Sequence, residues 1–313
     1  VKESPNIVVI GSLNLDMILE SPKFPDEGET ILGKRFSTAM GGKGANQAVA
    51  AARLGAKVSL IGAVGNDEFG KKLLKSLSNE GIDTSHIKML ESEETGIACV
   101  QVSPNDNRIT VIPGANSHLL PDHIDQAEDV LEKADLVLLQ MEIPLETVEY
   151  AIKKAKEMGK TVILNPAPAA ELSKDILGIV DYLTPNETEL LILAQGSTIE
   201  KDLDHSAKKL LTMGVAGLIV TLGENGAKYF SNNDEEENFS PHFVRVVDTT
   251  GAGDAFNGGL AYSLASGKDL RHAISLAMKV GAMAVTKLGA QEGMPTIREL
   301  ESFNKKYNLQ NII

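Results

Sequence analysis

The sequence predicts an α/β fold, a mostly parallel central sheet with helices on both faces plus a small β-sheet lid. Three observations predict it. Short apolar runs alternate with helix-period segments along most of the 313 residues. Those runs are nearly continuous in apolar residues, as strands covered on both faces must be. Two segments, 13–38 and 95–112, instead carry short alternating stretches and turns with no helix between them.

Taken in order, the apolar runs 7–10, 58–62, 136–140, 161–165, 182–184, 218–222 and 227–230 predict strands of the main sheet. Helical periodicity falls between them at 44–54, 68–79, 121–133, 145–158, 187–193 and 204–213. Gly55, Gly81, Gly159 and Gly214 follow four of these stretches, where a left-handed residue ends a helix. Phe243-Val-Arg-Val-Val247 predicts a further strand, and helices at 254–265, 270–286 and 297–307 close the chain. Pro104-Asn-Asp-Asn107, flanked by 98–102 and 109–112, reads as a hairpin turn. It lets 13–38 and 95–112 pair into a small sheet, either a lid or an extension of the main one. The charge run 232–238 reads as a solvated loop. The whole chain, 1–313, is expected to form a single domain.

Composition excludes several functions. A net charge of −13 argues against nucleic acid or an anionic membrane surface as the main partner. No apolar run approaches the ~18 residues needed to span a bilayer. The single cysteine, Cys99, sits in an alternating stretch as a packed strand thiol and can form no internal disulfide. A soluble protein of a reducing cytoplasm is expected.

Asp248-Thr-Thr-Gly-Ala-Gly-Asp-Ala-Phe256 carries the most chemistry. A glycine-rich corner opening a helix aims unpaired N–H groups and the positive dipole end at one place, which suits an anion. Gly251 and Gly253 allow close backbone approach. Asp254 is out of place in an anion cradle unless it accepts a proton from a hydroxyl about to be phosphorylated. As a simple alternative, it is an acidic residue favoured in the first turn of a helix.

Other polar residues fall just beyond the apolar runs, where open parallel sheets bind ligands. Asn14 and Asp16 share one strand face and suit a polyol's hydroxyls, or are an ordinary half-exposed edge. Met40-Gly-Gly-Lys-Gly-Ala-Asn-Gln47 opens a helix, with Asn46 a further hydroxyl reader. Gln140-Met-Glu142, Asn165-Pro-Ala-Pro168 and Thr184-Pro-Asn-Glu-Thr-Glu189 end three further runs. Asn186 with Glu189 forms a capping box, or orients Mg²⁺-bound water beside a polyphosphate. Thr221-Leu-Gly-Glu-Asn-Gly226 is a glycine hairpin across which a nucleotide can lie. Gly159-Lys-Thr161 lacks the earlier glycine of a P-loop, no dinucleotide fingerprint follows the first strand, and the histidines lack metal-ligand spacing.

Together, 41–46 and 248–254 resemble the paired signatures of the ribokinase-like carbohydrate kinase family, and the resemblance runs from Ile7 to about Pro295. It implies an ATP-dependent sugar kinase acting on the 5-hydroxyl of D-ribose. Fructose, a keto-deoxy sugar acid or a nucleoside are the alternatives within the family, and a non-catalytic sugar-binding regulator is one outside it. By the resemblance, Asn14, Asp16, Gly41, Gly42, Lys43, Asn46 and Glu142 hold the sugar. Asp254 is the base, and Gly251, Ala252 and Gly253 form the anion hole. Asn186 and Glu189 serve Mg²⁺ and phosphate, while Thr221, Gly223, Asn225, Gly226, Gly253 and Met278 contact ATP. Asp248, Thr250, Ala284, Lys287, Gly289 and Gly293 surround an activating K⁺, mostly through backbone carbonyls. The lid closes over the sugar and joins a homodimer. Met278 and Gly293 depart from the family pattern, which more often has a polar residue and a serine there.

Overall fold

Nearly continuous Val, Ile and Leu runs leave the strands no polar face to turn to water, and the chain buries them between two layers of helices. The computed structural model describes residues 4–104, 106–194, 202–233 and 235–306. The chain opens with β1 (Asn6–Ile10), enters a small sheet with β2 (Asn14–Glu20) and β3 (Arg35–Gly41), and returns through α1 (Lys43–Arg53) to β4 (Lys57–Gly65). Next come α2 (Glu68–Asn79), β5 (Ile87–Leu90) and the hairpin β6 (Gly96–Ser103) with β7 (Asp106–Ile112). Helices α3 (Pro121–Gln126) and α4 (Glu128–Lys133) lead to β8 (Leu136–Leu139), α5 (Leu145–Glu157), β9 (Thr161–Leu164), α6 (Lys174–Leu177) and β10 (Tyr182–Leu183). The remainder is α7 (Glu187–Leu193), α8 (Leu203–Thr212), β11 (Gly217–Thr221), β12 (Ala227–Ser231), β13 (Glu236–Phe239), α9 (Ala252–Ala265), α10 (Leu270–Ala284), α11 (Ala290–Gly293) and α12 (Ile297–Lys306).

The main sheet has nine strands in the order β13-β12-β11-β10-β9-β8-β1-β4-β5, and the small one has four in the order β3-β2-β6-β7. From β11 to β5 all neighbours run parallel, while β12 and β13 are antiparallel additions. Strand periodicity divides the core. Ile7 and Val9 join the helices α1, α9 and α10 on one face, whereas Val8 and Ile10 join α5, α7 and α8 on the other. Alpha helices 1 and 9 approach closely because Gly258 carries no side chain; a Cβ there would lie 2.9 Å from the Gln47 carbonyl.

The small sheet stands on a root held by Asn116. Its Oδ1 accepts from Leu13 N–H at 2.9 Å, and its Nδ2 donates to Asn14 Oδ1 at 2.8 Å and to the Pro113 carbonyl at 3.0 Å. One buried side chain thus ties the start of β2 to the end of β7.

Three sequence expectations are corrected. Residues 243–247 follow β13 but form no strand and add nothing to its outer edge. Phe243 is 88% exposed, and Val247 N–H instead donates to the Val285 carbonyl. The charge run 232–238 is not all loop. Its second half enters β13, where Glu236 pairs with Lys228 and Glu237 with Arg271, so ion pairing offsets the cost of acidic residues on an edge strand. The single helix expected at 121–133 breaks at Ala127, whose φ of −107° and ψ of 20° leave the helical region. Tyr307, the last residue of the expected closing helix, lies outside the described residues.

Candidate active site

A cleft of about 180 Å³ opens where the C-terminal ends of β9, β10 and β11 face the N-terminus of α9. It is lined by Lys43, Asn165, Thr184, Asn186, Glu189 and Thr221 on one side and by Thr249 and 251–254 on the other. Gly251 starts α9 with φ +77°, a left-handed conformation that suits glycine. Gly253 is exposed, and a Cβ built on it would meet nothing within 4 Å, so its place in the cleft is open. The N–H groups of Gly253 and Asp254 find no hydrogen-bond partner among the described residues, whereas Ala252 N–H donates to the Thr249 carbonyl at 3.2 Å. Those two free donors and the helix dipole make the corner receptive to an anion.

Asp254 is buried beneath this corner. Its Oδ2 accepts from Asn46 Nδ2 at 2.9 Å and its Oδ1 from Gln47 Nε2 at 3.0 Å. Burial pushes its carboxyl above the usual range; the Lys43 cation and the two amide donors oppose that rise without cancelling it. A carboxylate made more basic in this way is a better proton acceptor. Gln47 Nε2 also donates to Asn165 Oδ1, Asn165 Nδ2 to the Thr184 carbonyl, Thr184 Oγ1 to Asn257 Oδ1, and Asn257 Nδ2 to the Gly253 carbonyl. The chain of bonds therefore returns to the peptide from which Asp254 departs.

Of the residues expected from the sequence to read a polyol, Asn46, Glu142 and Asp16 lie beside Asp254. Glu142 Oε2 accepts from Ser12 Oγ at 2.6 Å and from Lys43 N–H at 3.1 Å. Asp16 is pushed up to about 7 by burial first, then by the charges of Glu142, Asp254 and Glu292. A Cβ on Gly41 would collide with the Asp16 carboxylate, and one on Gly42, at φ +89°, would lie 2.7 Å from Asn14 N. Gly42 is thus required by its positive φ and by close approach to the backbone of the sheet root, whereas at Gly41 a side chain would displace the Asp16 carboxylate. Burial disfavours the Lys43 charge, but Asp254, Glu142 and Glu189 outweigh it and raise the ammonium above its usual range. Lys43 so stands between the polyol side and the cleft.

Asn186 and Glu189 do form the capping box, with Glu189 N–H donating to Asn186 Oδ1 and Asn186 N–H to Glu189 Oε2, both at 2.9 Å. They also line the cleft, so the cap fixes two oxygen-bearing side chains at its wall. Thr221 bridges to Asn186, whereas Gly223 and Asn225 form the turn between β11 and β12. Gly226 is demanded by its φ of +97° and by the Phe239 carbonyl pressed against it. Met278 is half-buried against the core and is not among the cleft-lining residues.

Asp248 gathers the remaining segment. Its Oδ1 accepts from Thr250 N–H and Thr250 Oγ1, and its Oδ2 from Gly289 N–H at 2.9 Å. Burial raises this carboxyl, but the three donors win and hold it below the usual range. A Cβ on Gly293 would lie 2.5 Å from the Ala284 carbonyl, while the Lys287 ammonium points away to Glu299 at 2.7 Å. No cluster of three or more His, Cys, Asp or Glu able to hold a metal occurs among the described residues.

Sequence reading missed Gln47, Gln140, Asn257 and Gln291 as members of the site. Apart from the bond of Asn257 to the Gly253 carbonyl, their side-chain partners lie 73 to 245 residues away, so no local pattern announces them.

Residues 4–297 match the model of the pfkB family carbohydrate kinase. The chain is 42% identical over 297 residues to a ribokinase of Bacillus subtilis, covering 95% of this chain and 98% of that protein. It is 40% identical over 309 residues to a deoxyribokinase of Salmonella typhi, covering 97% and 99%. Its fold is similar, at a TM-score of 0.89 and 32% identity, to the structure of Arabidopsis thaliana ribokinase complexed with ribose and ATP, covering 97% of this chain and 99% of that one.

Proposed function

The chain belongs to the pfkB family of carbohydrate kinases, and from that premise we propose that it phosphorylates D-ribose at the 5-hydroxyl, using ATP. The observation that carries this reading is Asp254, a buried carboxylate facing the polyol-reading residues on one side and the open corner at Gly253 on the other. Asn14, Asp16, Asn46 and Glu142 offer a neutral polyol both donors and acceptors. A sugar acid would want cations there.

In this mechanism Asp254 takes the proton of the 5-hydroxyl as the oxygen meets the phosphorus. The N–H groups of Gly253 and Asp254, with Lys43, hold the charge on the moving phosphoryl group. The small sheet closes over the sugar and excludes water that would otherwise consume ATP. Asn186 and Glu189 would hold Mg²⁺ through its waters, where the ion would supply positive charge to the phosphate oxygens. Asp248, Gly289 and the Ala284 carbonyl would hold K⁺, which would brace the segment beside the anion corner.

ADP release measured with and without ribose tests the activity. Asp254→Asn is expected to lower kcat by a factor on the order of 10² or more while calorimetry finds ribose affinity nearly unchanged. An unaltered kcat would remove Asp254 from the role. The similarity to a deoxyribokinase favours 2-deoxyribose as a second substrate, and kcat/KM for the two sugars side by side decides between them.

The apolar surface of the small sheet supports a second copy of the chain as partner. Leu19 and Phe36, directly opposed across β2 and β3, are 40% and 62% exposed, and Ile109 and Val111 are exposed on the other face. A second copy of the chain seated here would supply the missing layer. No helix among the described residues is long and apolar enough to cross a membrane, and the cytoplasm, where ATP and free thiols coexist, fits the assigned chemistry.

A further inference from the structure

Each oxygen of Asp254 meets an amide, and each of those amides is met in turn by a glutamine. Asn46 Nδ2 donates to Oδ2, while Asn46 Oδ1 accepts from Gln291 Nε2 at 3.1 Å. Gln47 Nε2 donates to Oδ1, while Gln47 Oε1 accepts from Gln140 Nε2 at 2.7 Å. All five side chains are buried. An ionised carboxylate only accepts, so Asn46 and Gln47 must present nitrogen to it, and their oxygens must then find donors on the far side. Gln140 and Gln291 supply those donors. Gln140 does so although its own Oε1 is buried without a hydrogen-bond partner, so its orientation is not set by its own satisfaction. Gln291 is fixed from behind, since Arg53 Nη1 donates to the Gln291 carbonyl at 2.5 Å and to the Met294 carbonyl at 2.9 Å.

We propose that Gln140 and Gln291 are positioning residues that set the orientation of the two amides holding Asp254, so that its carboxylate faces N–H donors on both sides and stays ionised until the sugar hydroxyl arrives. This rests on the assignment of Asp254 as the base. Without either glutamine, the dependent amide turns over part of the time and sets its carbonyl oxygen against the carboxylate, which favours the protonated form. The charged groups facing Asp254, namely Lys43 on α1, Glu142 beyond β8, Glu189 on α7 and Asp16 on β2, remain in place.

The experiment is single-turnover phosphorylation of ribose from about pH 5.5 to about pH 9 in Gln140→Met, Gln291→Met, Gln140→Glu, Gln291→Glu and Asp254→Asn. Methionine removes the donor at similar volume and without charge. Both methionine variants are expected to shift the acidic limb of the rate profile upward, so that turnover falls several-fold more at low pH than at high pH. The glutamate variants, where they fold, are expected to shift it further. Gln291→Met also raises the ribose KM through Asn46, and Gln140→Met leaves that KM near the parent value. If the methionine variants lower the unfolding temperature but leave the limb in place while Asp254→Asn is inactive, the inference fails and the base assignment stands. If Asp254→Asn keeps its turnover, both fail.

Discussion

Asp16 shows how a residue proposed for binding works against the fold. Its carboxyl is pushed up to about 7 from 3.8, so the folded chain takes up a proton that the unfolded chain releases. Stability contributed at this position is therefore present below about pH 4 and is lost as pH rises toward 7. Asp16→Asn is expected to raise the unfolding temperature at pH 8 more than at pH 5, by an amount equivalent to on the order of 1 kcal/mol. The same change is expected to raise the ribose KM at least tenfold in steady-state assays, since a hydroxyl loses its charged acceptor. At this scale the sequence was legible where chemistry is local. Asp254 stood out because a carboxylate is unusual in a glycine-rich anion corner, and Asn186 with Glu189 because three-residue spacing makes a cap. Gln47 gives no such local signal, because its bonds reach Asn165, Gln140 and Asp254, all far along the chain.

Among the elements, α9 carries the site, and its two kinds of glycine make opposite predictions. Gly258 faces α1, where a Cβ would press on Ala50 and lie 2.9 Å from the Gln47 carbonyl. Gly258→Ala is expected to destabilise the fold by roughly 1–3 kcal/mol in denaturant titration and to lower kcat, because α1 and α9 must move apart with Asn46, Gln47 and Asp254 upon them. Gly253 faces open space within the cleft. Gly253→Ala is expected to keep or slightly raise stability, as alanine favours a helix, while kcat falls in the same assays because a methyl group enters the phosphate's place. Helices and main strands were readable because their periodicity is strong. The short pieces β5, β13, α6 and α11 were not, since a few residues give no period to detect. The apolar run 243–247 misled for another reason: an apolar pattern declares only a willingness to pair, and here Val247 N–H turns to the Val285 carbonyl just past α10 instead of to a strand.

For the whole molecule, two sheets meet at a root that one asparagine closes. Asn116→Ala removes the tie between Leu13, Asn14 and Pro113. It is expected to raise the ribose KM more than the ATP KM and to quicken hydrogen exchange in β2 and β6 while β8 and β9 stay protected. The two-sheet layout was legible from the two helix-free segments alone. The strand order β3-β2-β6-β7 was not, because the parallel pairing of β2 with β6 joins segments separated by a full excursion through the main sheet.

The bonds from Asn46 to Asp254 and to Gln291 span 208 and 245 residues. A nascent chain emerging from the ribosome consequently holds the sugar-reading asparagine long before its two partners exist. Asn46 therefore gains both partners only once residues 254 and 291 have been made, and on the proposed reading a chain truncated ahead of α9 lacks the base.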